Sequence, residues 1–130
     1  MRPINPPHAG PKGLSKGMIT ETGALLFISG QVPMTPDGQF AGPGMTEQTT
    51  QVFENIGAVL TEAGVSFADV VKLTIFLCPY TTDNLLAFRE VRDRYVNTDC
   101  PPTSSLVGVS ALVQPEFMIE VEAIAEMPGT

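Results

Sequence analysis

Residues 100–125, CPPTSSLVGVSALVQPEFMIEVEAIA, predict two neighbouring β-strands that hold most of the polar groups of interest. The first strand, 103–109, follows two prolines, and a loop at Gln114-Pro115 separates it from the second strand, 117–125. Hydroxyl residues begin the first strand, and carboxylates lie within the second. These groups form either the polar side of an ordinary sheet or part of a binding site. The hydroxyls are Thr103, Ser104 and Ser105, and the carboxylates are Glu120 and Glu122.

The second of these strands has two unlike faces, because successive side chains of a strand point to opposite sides. One face holds Ile119, Val121, Ala123 and Ala125, and the other holds Met118, Glu120, Glu122 and Ile124. The first set suits contact with a layer of helices. The second set mixes carboxylates with apolar side chains, which is unusual for a solvent face and for a core. A sheet covered on one side only is either wetted or associated on the other. We therefore predict association of subunits through this second face, around a polar pocket.

Two strand–helix units precede these strands. Between residues 46 and 63 apolar residues recur every three to four positions, and Gly64 follows where a helix C-terminal cap is expected. The apolar, β-branched run 70–77, VVKLTIFL, predicts a buried strand. The polar cluster TTDN, residues 81–84, is a good helix start, and the apolar residues of 85–95 share one helical face.

Residues 18–31, MITETGALLFISGQ, predict a hairpin of two short strands around a turn at Thr22-Gly23. The predicted order is therefore β-β-α-β-α-β-β. Strand–helix–strand connections are right-handed almost without exception, so both helices should cover the same face of one mixed sheet. The fold class predicted is α+β, in one domain that spans residues 1–130.

Composition excludes several classes of function. The chain carries a net charge of −7 with seven Lys and Arg residues, which opposes nucleic-acid binding. Cys78 and Cys100 are far apart in sequence, and the single histidine, His8, lies in a Pro-rich segment away from both, which argues against a zinc site. No run of residues has the apolar pattern of a signal peptide or a membrane span. We expect a cytoplasmic protein with reduced thiols and no metal.

Three segments together resemble the Rid family of reactive intermediate deaminases, also called the YjgF family. They are residues 28–38, 47–77 and 101–125, and the resemblance extends over 17–125. It implies a chorismate-mutase-like α+β fold in a homotrimer, whose three sheets close into a barrel with ligand clefts between subunits. It also implies a cofactor-independent activity, the hydrolysis of reactive enamines or imines to keto acids and ammonia.

The chain departs from the family's substrate-binding signature, an arginine that grips a carboxylate bidentately and a cysteine two residues later. Alignment of the last two strands places Ser104 at the arginine position and Leu106 at the cysteine position. A serine hydroxyl donates one hydrogen bond and supplies neither a charge nor a fork. The change should cost about 2–5 kcal/mol of affinity for a small carboxylate if the pair is desolvated. Keto-acid imines should therefore be poor substrates.

At four other positions of the family's site, this chain matches the usual residue at two and differs at two. Glu120 matches the site carboxylate and Gly30 matches a site glycine, whereas Leu14 falls at a position that is usually tyrosine and Arg89 at a frequent asparagine. Glu120 can position or deprotonate the water that adds to a C=N bond, although a strand glutamate can equally pair with a lysine or with water. Arg89 can enter the cleft in place of the missing arginine, or it lies on a solvated helix face with local ion pairs.

The sequence thus favours a hydrolase of a small imine or enamine that needs no cofactor and no metal, with Glu120 as the catalytic residue. The substrate-binding residues predicted are Ser104, Arg89, Gly30, Leu14 and Leu106. The alternative is a non-catalytic metabolite-binding or scaffold member of the family. A ribonuclease or translation inhibitor, the third possibility, fits poorly with the charge of −7. The partners expected are a small-molecule substrate and two further copies of the chain, with neither nucleic acid nor membrane.

Overall fold

The computed structural model describes residues 1–7 and 13–129, which form a mixed four-stranded sheet, a separate two-stranded sheet and two α-helices. His8, and the expectation built on it, lies outside the described residues. The strands are β1 (Arg2–Ile4), β2 (Gly17–Ile19), β3 (Leu25–Gln31), β4 (Val70–Leu77), β5 (Thr103–Gly108) and β6 (Ile119–Glu126). The helices are α1 (Met45–Glu62) and α2 (Thr82–Arg92), and a short 3-10 helix, Phe67–Asp69, leads into β4. The predicted α+β class is confirmed.

Helix α1 forms where the apolar spacing predicts it. Its apolar stripe is fully or almost fully buried and packs on the sheet. At its end Gly64 has a φ of +80°, and the N–H of Val65 donates to the carbonyl of Leu60 over 3.0 Å. This is the left-handed glycine cap expected at that position. The buried stripe consists of Val52, Phe53, Ile56 and Leu60.

Helix α2 begins at the predicted polar cluster and packs beside α1. The hydroxyl of Thr81 accepts a hydrogen bond from the N–H of Asn84 over 3.0 Å, which caps the first turn. The ring of Phe53 lies 6.1 Å from that of Phe88 and 5.2 Å from that of Tyr95. The two helices therefore share one apolar layer on one face of the sheet, as predicted.

The strand order of the main sheet is β3-β6-β4-β5. β6 pairs antiparallel with both β3 and β4, and β4 pairs parallel with β5. β3 and β4 thus run in the same direction with α1 as their connection, and α2 connects β4 to β5. The residues of β6 expected to face the helices, Ile119, Val121, Ala123 and Ala125, are all buried, whereas Glu120 is half-buried and Glu122 is exposed. The predicted division of β6 into two faces is confirmed.

The predicted hairpin across residues 18–31 is wrong. β2 pairs with β1, an N-terminal strand that was not predicted, and Met18 lies opposite Pro3. β3 instead pairs with the long strand β6, which offers it a partner along most of its length. Pro3 donates no backbone hydrogen bond, so the Pro-rich N-terminus gave no strand signal.

A carboxylate holds the segment between β2 and β3. Glu126 is 5% exposed, and it accepts hydrogen bonds from the N–H groups of Glu21 and Thr22 over 2.5 and 2.9 Å. The Met1 ammonium lies 3.1 Å from its other oxygen. The backbone N–H of Glu21 first, and then that of Thr22 and the Met1 ammonium, lower the pKa of Glu126 to about 2.

The depressed pKa of Glu126 predicts an acid-sensitive contribution to stability. A carboxylate with a lowered folded-state pKa stabilises the fold above its ordinary value of 4.5 and loses that contribution as the pH falls toward about 2. The urea midpoint of the wild type should therefore fall across this window, and it should fall less in Glu126→Gln. Glu62→Gln, an exposed carboxylate on α1, is the control and should follow the wild type. Parallel curves for wild type and Glu126→Gln would contradict the prediction.

Candidate functional site

Glu120 lies against an irregularity in the neighbouring strand. The pairing of β3 with β6 passes from Ile28 opposite Ala123 to Gln31 opposite Val121, so β3 carries one extra residue there. Such a β-bulge bends a strand and commonly occurs beside functional sites. A methyl group on Gly30, which lies in this bulge, would come within 2.8 Å of the carboxyl carbon of Glu120. The structure thus brings together Glu120 and Gly30, and the missing side chain of Gly30 makes room for the carboxylate.

The sheet side that carries Glu120 is not covered by the helices. We call it the open face. Glu120 pairs with Phe76 of β4, and Glu122 pairs with Thr74. Phe27 of β3 is 71% exposed there and pairs with Ile124. The open face comprises Phe27, Thr74, Phe76, Glu120, Glu122 and Ile124.

A cavity of about 410 Å³ on the open face lies beside Glu122. Its lining includes Phe27, Lys72 and Thr74 as well as Glu122. The cavity mixes aromatic, charged and hydroxyl groups, which agrees with the mixture that the sequence of β6 predicted for this side.

A second group of predicted residues meets at the opposite edge of the sheet, where β5 begins. Leu14 and Ser104 line one pocket of about 410 Å³, which we call the edge pocket. The N–H of Ser15 donates to the carbonyl of Pro102 over 3.0 Å, and the Ser15 hydroxyl donates to the carbonyl of Pro101. These bonds hold the segment before β2 alongside β5. The edge pocket is lined by Leu14, Ser15, Lys16, Lys72, Thr103, Ser104 and Ser105.

Within one chain the edge pocket and Glu120 are separate. β4 lies between β5 and β6, which puts Ser104 about 10 Å from β6 across the sheet. Ser104 pairs with Leu73, a fully buried residue on the helix side, whereas Glu120 belongs to the open face. A single copy of the chain therefore holds two separate groups of candidate site residues, which we call half-sites, one around Gly30 and Glu120 and one around Leu14 and Ser104.

The remaining two predicted residues lie elsewhere. Leu106 pairs with Ile75 and packs against the core, so in one chain it is largely a structural residue. Arg89 is exposed on α2 and, in the described part of the chain, lines neither the open-face cavity nor the edge pocket. Its neighbour in the sequence REVRDR, Arg94, forms the local ion pair expected of a helix surface, with Glu90 at 3.2 Å.

Lys16 and Lys72 are candidate site residues that reasoning from the sequence missed. Both line the edge pocket, and Lys72 also lines the open-face cavity. A signal for Lys72 was present, because it is the one charged residue in the otherwise apolar strand VVKLTIFL. Lys16 gave no such signal, since its approach to β5 depends on a contact between residues distant in sequence.

Within the ranges 1–7 and 13–129, no cluster of three or more His, Cys, Asp or Glu residues is arranged to hold a metal ion. The two cysteines in this part of the chain are free thiols. None of the helices described has the length and apolar character needed to cross a membrane.

The sequence matches the family model described as Endoribonuclease L-PSP over residues 11–127. A RutC family protein of Pyrococcus abyssi is 38% identical over 106 residues, which cover 81% of this chain and 80% of that protein. The crystal structure of a protein of the conserved Rid family from Yersinia pestis, described as being of unknown function, superposes with a TM-score of 0.91 at 35% identity. That match covers 97% of this chain and 98% of the other.

RidA from an Antarctic Psychrobacter species superposes with a TM-score of 0.73 at 31% identity, over 82% of this chain and 84% of that one. The chain therefore agrees with these proteins in fold and in sequence over most of its length, and this agreement assigns it to a family. The chain belongs to the Endoribonuclease L-PSP family, also known as the Rid or YjgF family.

Proposed function

We propose that this protein hydrolyses a small reactive imine or enamine to a carbonyl compound and ammonia, without a cofactor. The observation that carries the proposal is the Glu120 carboxylate, seated against the bulge of β3 at Gly30 on a half-buried strand of the open face. The resemblance of the chain to deaminating members of its family supports the same reaction.

The reaction needs a group that moves one proton twice. The Glu120 carboxylate takes a proton from water as the water oxygen bonds to the imine carbon, the C=N π electrons move to nitrogen, and Glu120 passes the proton to that nitrogen. The Glu120 carboxylate then takes the O–H proton of the carbinolamine and delivers it to nitrogen as the C–N bond breaks, so that the C=O bond forms and ammonia leaves. The sum is one imine and one water converted to one carbonyl compound and one ammonia. An enamine enters the same sequence after protonation at carbon gives the imine.

The proposal includes a homotrimer in the cytoplasm. Two observations support association: the open face exposes Phe27 to 71%, and each chain carries two separated half-sites. An assembly that places the β5 edge of one copy beside Gly30 and Glu120 of the next would join the half-sites into one cleft. Ser104, Leu14 and Leu106 would then bind substrate from one copy while Glu120 acts from the other, and Arg89 has a role only if the assembly brings α2 to the cleft.

The first test measures ammonia release from imines that amino acid oxidases form in the assay from amino acids with neutral and with acidic side chains. A second assay uses enamines formed by a PLP-dependent dehydratase. The wild type should accelerate release over buffer and over heat-denatured protein. The same preparation should have a mass in solution of three 13.9-kDa chains. Saturable binding of a metabolite without acceleration would favour the alternative, a non-catalytic binding protein. The replacement of the family's arginine and cysteine by Ser104 and Leu106 is the observation that favours this alternative. A monomer in solution would contradict the joined cleft.

A further inference from the structure

The edge pocket is positively charged although the protein is negative. The chain has a net charge of −7, yet the charged residues that line this pocket are Lys16 and Lys72, and its other lining residues are neutral. Charges on the wall of a concave site act at short range and are less screened than those spread over a surface. The pocket therefore attracts an anion locally, even though the long-range field of the protein repels one.

Within the described residues of one copy, neither lysine is paired with a carboxylate. Among residues 1–7 and 13–129, no carboxylate oxygen lies within 4.0 Å of either ammonium group. Lys72 is on β4 between Thr103 of β5 and Ile124 of β6, so its backbone is fixed by the sheet on both sides. The backbone N–H of Lys16 donates to the side-chain oxygen of Asn5 over 2.8 Å. The backbone of both lysines is thus held in place by hydrogen bonds.

The hydroxyls of the pocket divide into two kinds. Those of Ser15 and Thr103 already donate to the carbonyls of Pro101 and Val71, the latter over 2.7 Å. In the described part of the chain, the hydroxyls of Ser104 and Ser105 donate to no protein acceptor. Because successive side chains of a strand face opposite sides, Ser105 shares the side of Lys72, whereas Ser104 faces the helix side. Two ammonium groups and the Ser105 hydroxyl therefore remain to bind a ligand.

We propose that the edge pocket binds a doubly negative group of the substrate, such as a phosphate monoester, through Lys16, Lys72 and the hydroxyl of Ser105. Two ammonium groups balance two negative charges. An ammonium is also a compact point charge that suits a tetrahedral phosphate, whereas the planar carboxylate is matched best by the fork of an arginine. A volume of about 410 Å³ accommodates such a group together with part of the substrate.

One expectation from the sequence bears on this pocket. Ser104 at the family's arginine position does remove the charge from β5. The pocket nevertheless keeps positive charge, supplied from β4 by Lys72 and from the segment before β2 by Lys16. The inference rests on the proposed function for the identity of the ligand as a substrate, but the binding itself can be measured without turnover.

The test compares two probes of similar shape, methyl phosphate and dimethyl phosphate. At pH 7.5 the monoester is mostly a dianion, because its second pKa is about 6, and the diester is a monoanion. We expect saturable amide chemical-shift changes at Lys16, Ser104 and Ser105 with the monoester, and binding of the diester at least about tenfold weaker. Equal affinity for both probes, or shifts that map elsewhere, would overturn the proposal.

Single variants then identify the cations. Lys72→Met and Lys16→Met should each weaken methyl phosphate binding by about tenfold or more, and Lys72→Arg should restore most of it. Arg94→Met removes the same charge from a residue just after α2 whose side chain is 57% exposed, and it should leave the affinity nearly unchanged. Amide spectra of each variant establish that it is folded. A loss of binding in Arg89→Met with no loss in either lysine variant would overturn the assignment.

The two proposals fail in different ways. A protein that binds the monoester in the edge pocket but releases no ammonia contradicts the hydrolysis and not the pocket. A protein that hydrolyses imines but binds no monoester contradicts the pocket and not the hydrolysis.

Discussion

Glu120→Gln should lower the rate of ammonia release by about 10²–10⁴-fold and leave the fold unchanged, because general acid–base catalysis contributes on that order. The amide has nearly the same shape as the carboxylate, and Gly30 leaves room for either. It cannot take a proton from water. The measurement is the initial rate of ammonia release from an imine formed in place, at enzyme concentrations where the rate is proportional to enzyme and with the uncatalysed rate subtracted.

The matched control for this prediction is Glu62→Gln, which removes the same charge from an exposed position on α1. It should release ammonia at the rate of the wild type. If Glu120→Gln retains the wild-type rate while Glu62→Gln does the same, Glu120 is a structural residue and the mechanism proposed above is incorrect. A circular dichroism melting curve for each variant excludes loss of fold as the cause of any decrease.

Gly30→Ala should also reduce activity strongly, by about 10- to 100-fold, since a displacement of about 1 Å can cost this much in rate. The added methyl would lie 2.8 Å from the carboxyl carbon of Glu120, so the carboxylate must move. The stability of the protein should change little, because the atoms that would yield belong to the end of a flexible side chain. The measurement is the ammonia-release rate together with the melting temperature.

Gly17→Ala is the control for Gly30→Ala. Gly17 also lies in a strand, and a methyl group there would lie 3.5 Å from the side chain of Ile4, an ordinary contact. This variant should keep both activity and melting temperature. A Gly30→Ala protein with full activity would show that the position of Glu120 beside the bulge is unimportant for the reaction.

The elements that the sequence predicted best are those whose signal is local. Helix α1 and strand β4 were predicted to within one residue, because the apolar period of a helix and a β-branched run are both read from neighbouring positions. The two faces of β6 followed from alternation alone. Gly30 and Glu120 were predicted through family resemblance, and the structure places them in contact, although their proposed roles await the measurements above.

What the sequence did not predict depends on pairing between distant segments. The partner of β2 is β1 rather than β3, and no local pattern distinguishes these choices for three-residue strands. The edge pocket arises because the segment around Ser15 lies beside Thr103, 88 positions later in a chain of 130 residues. Lys16 thus became a candidate ligand-binding residue only once the fold was known.

The bulge at Gly30 has a consequence for the solubility of the chain as well as for the site. β3 forms one edge of the main sheet, and an exposed edge is a template onto which a strand of another molecule can add. The extra residue interrupts the regular row of hydrogen-bonding groups along β3 and bends it. The same irregularity that seats the Glu120 carboxylate therefore also protects this edge against uncontrolled strand addition and aggregation.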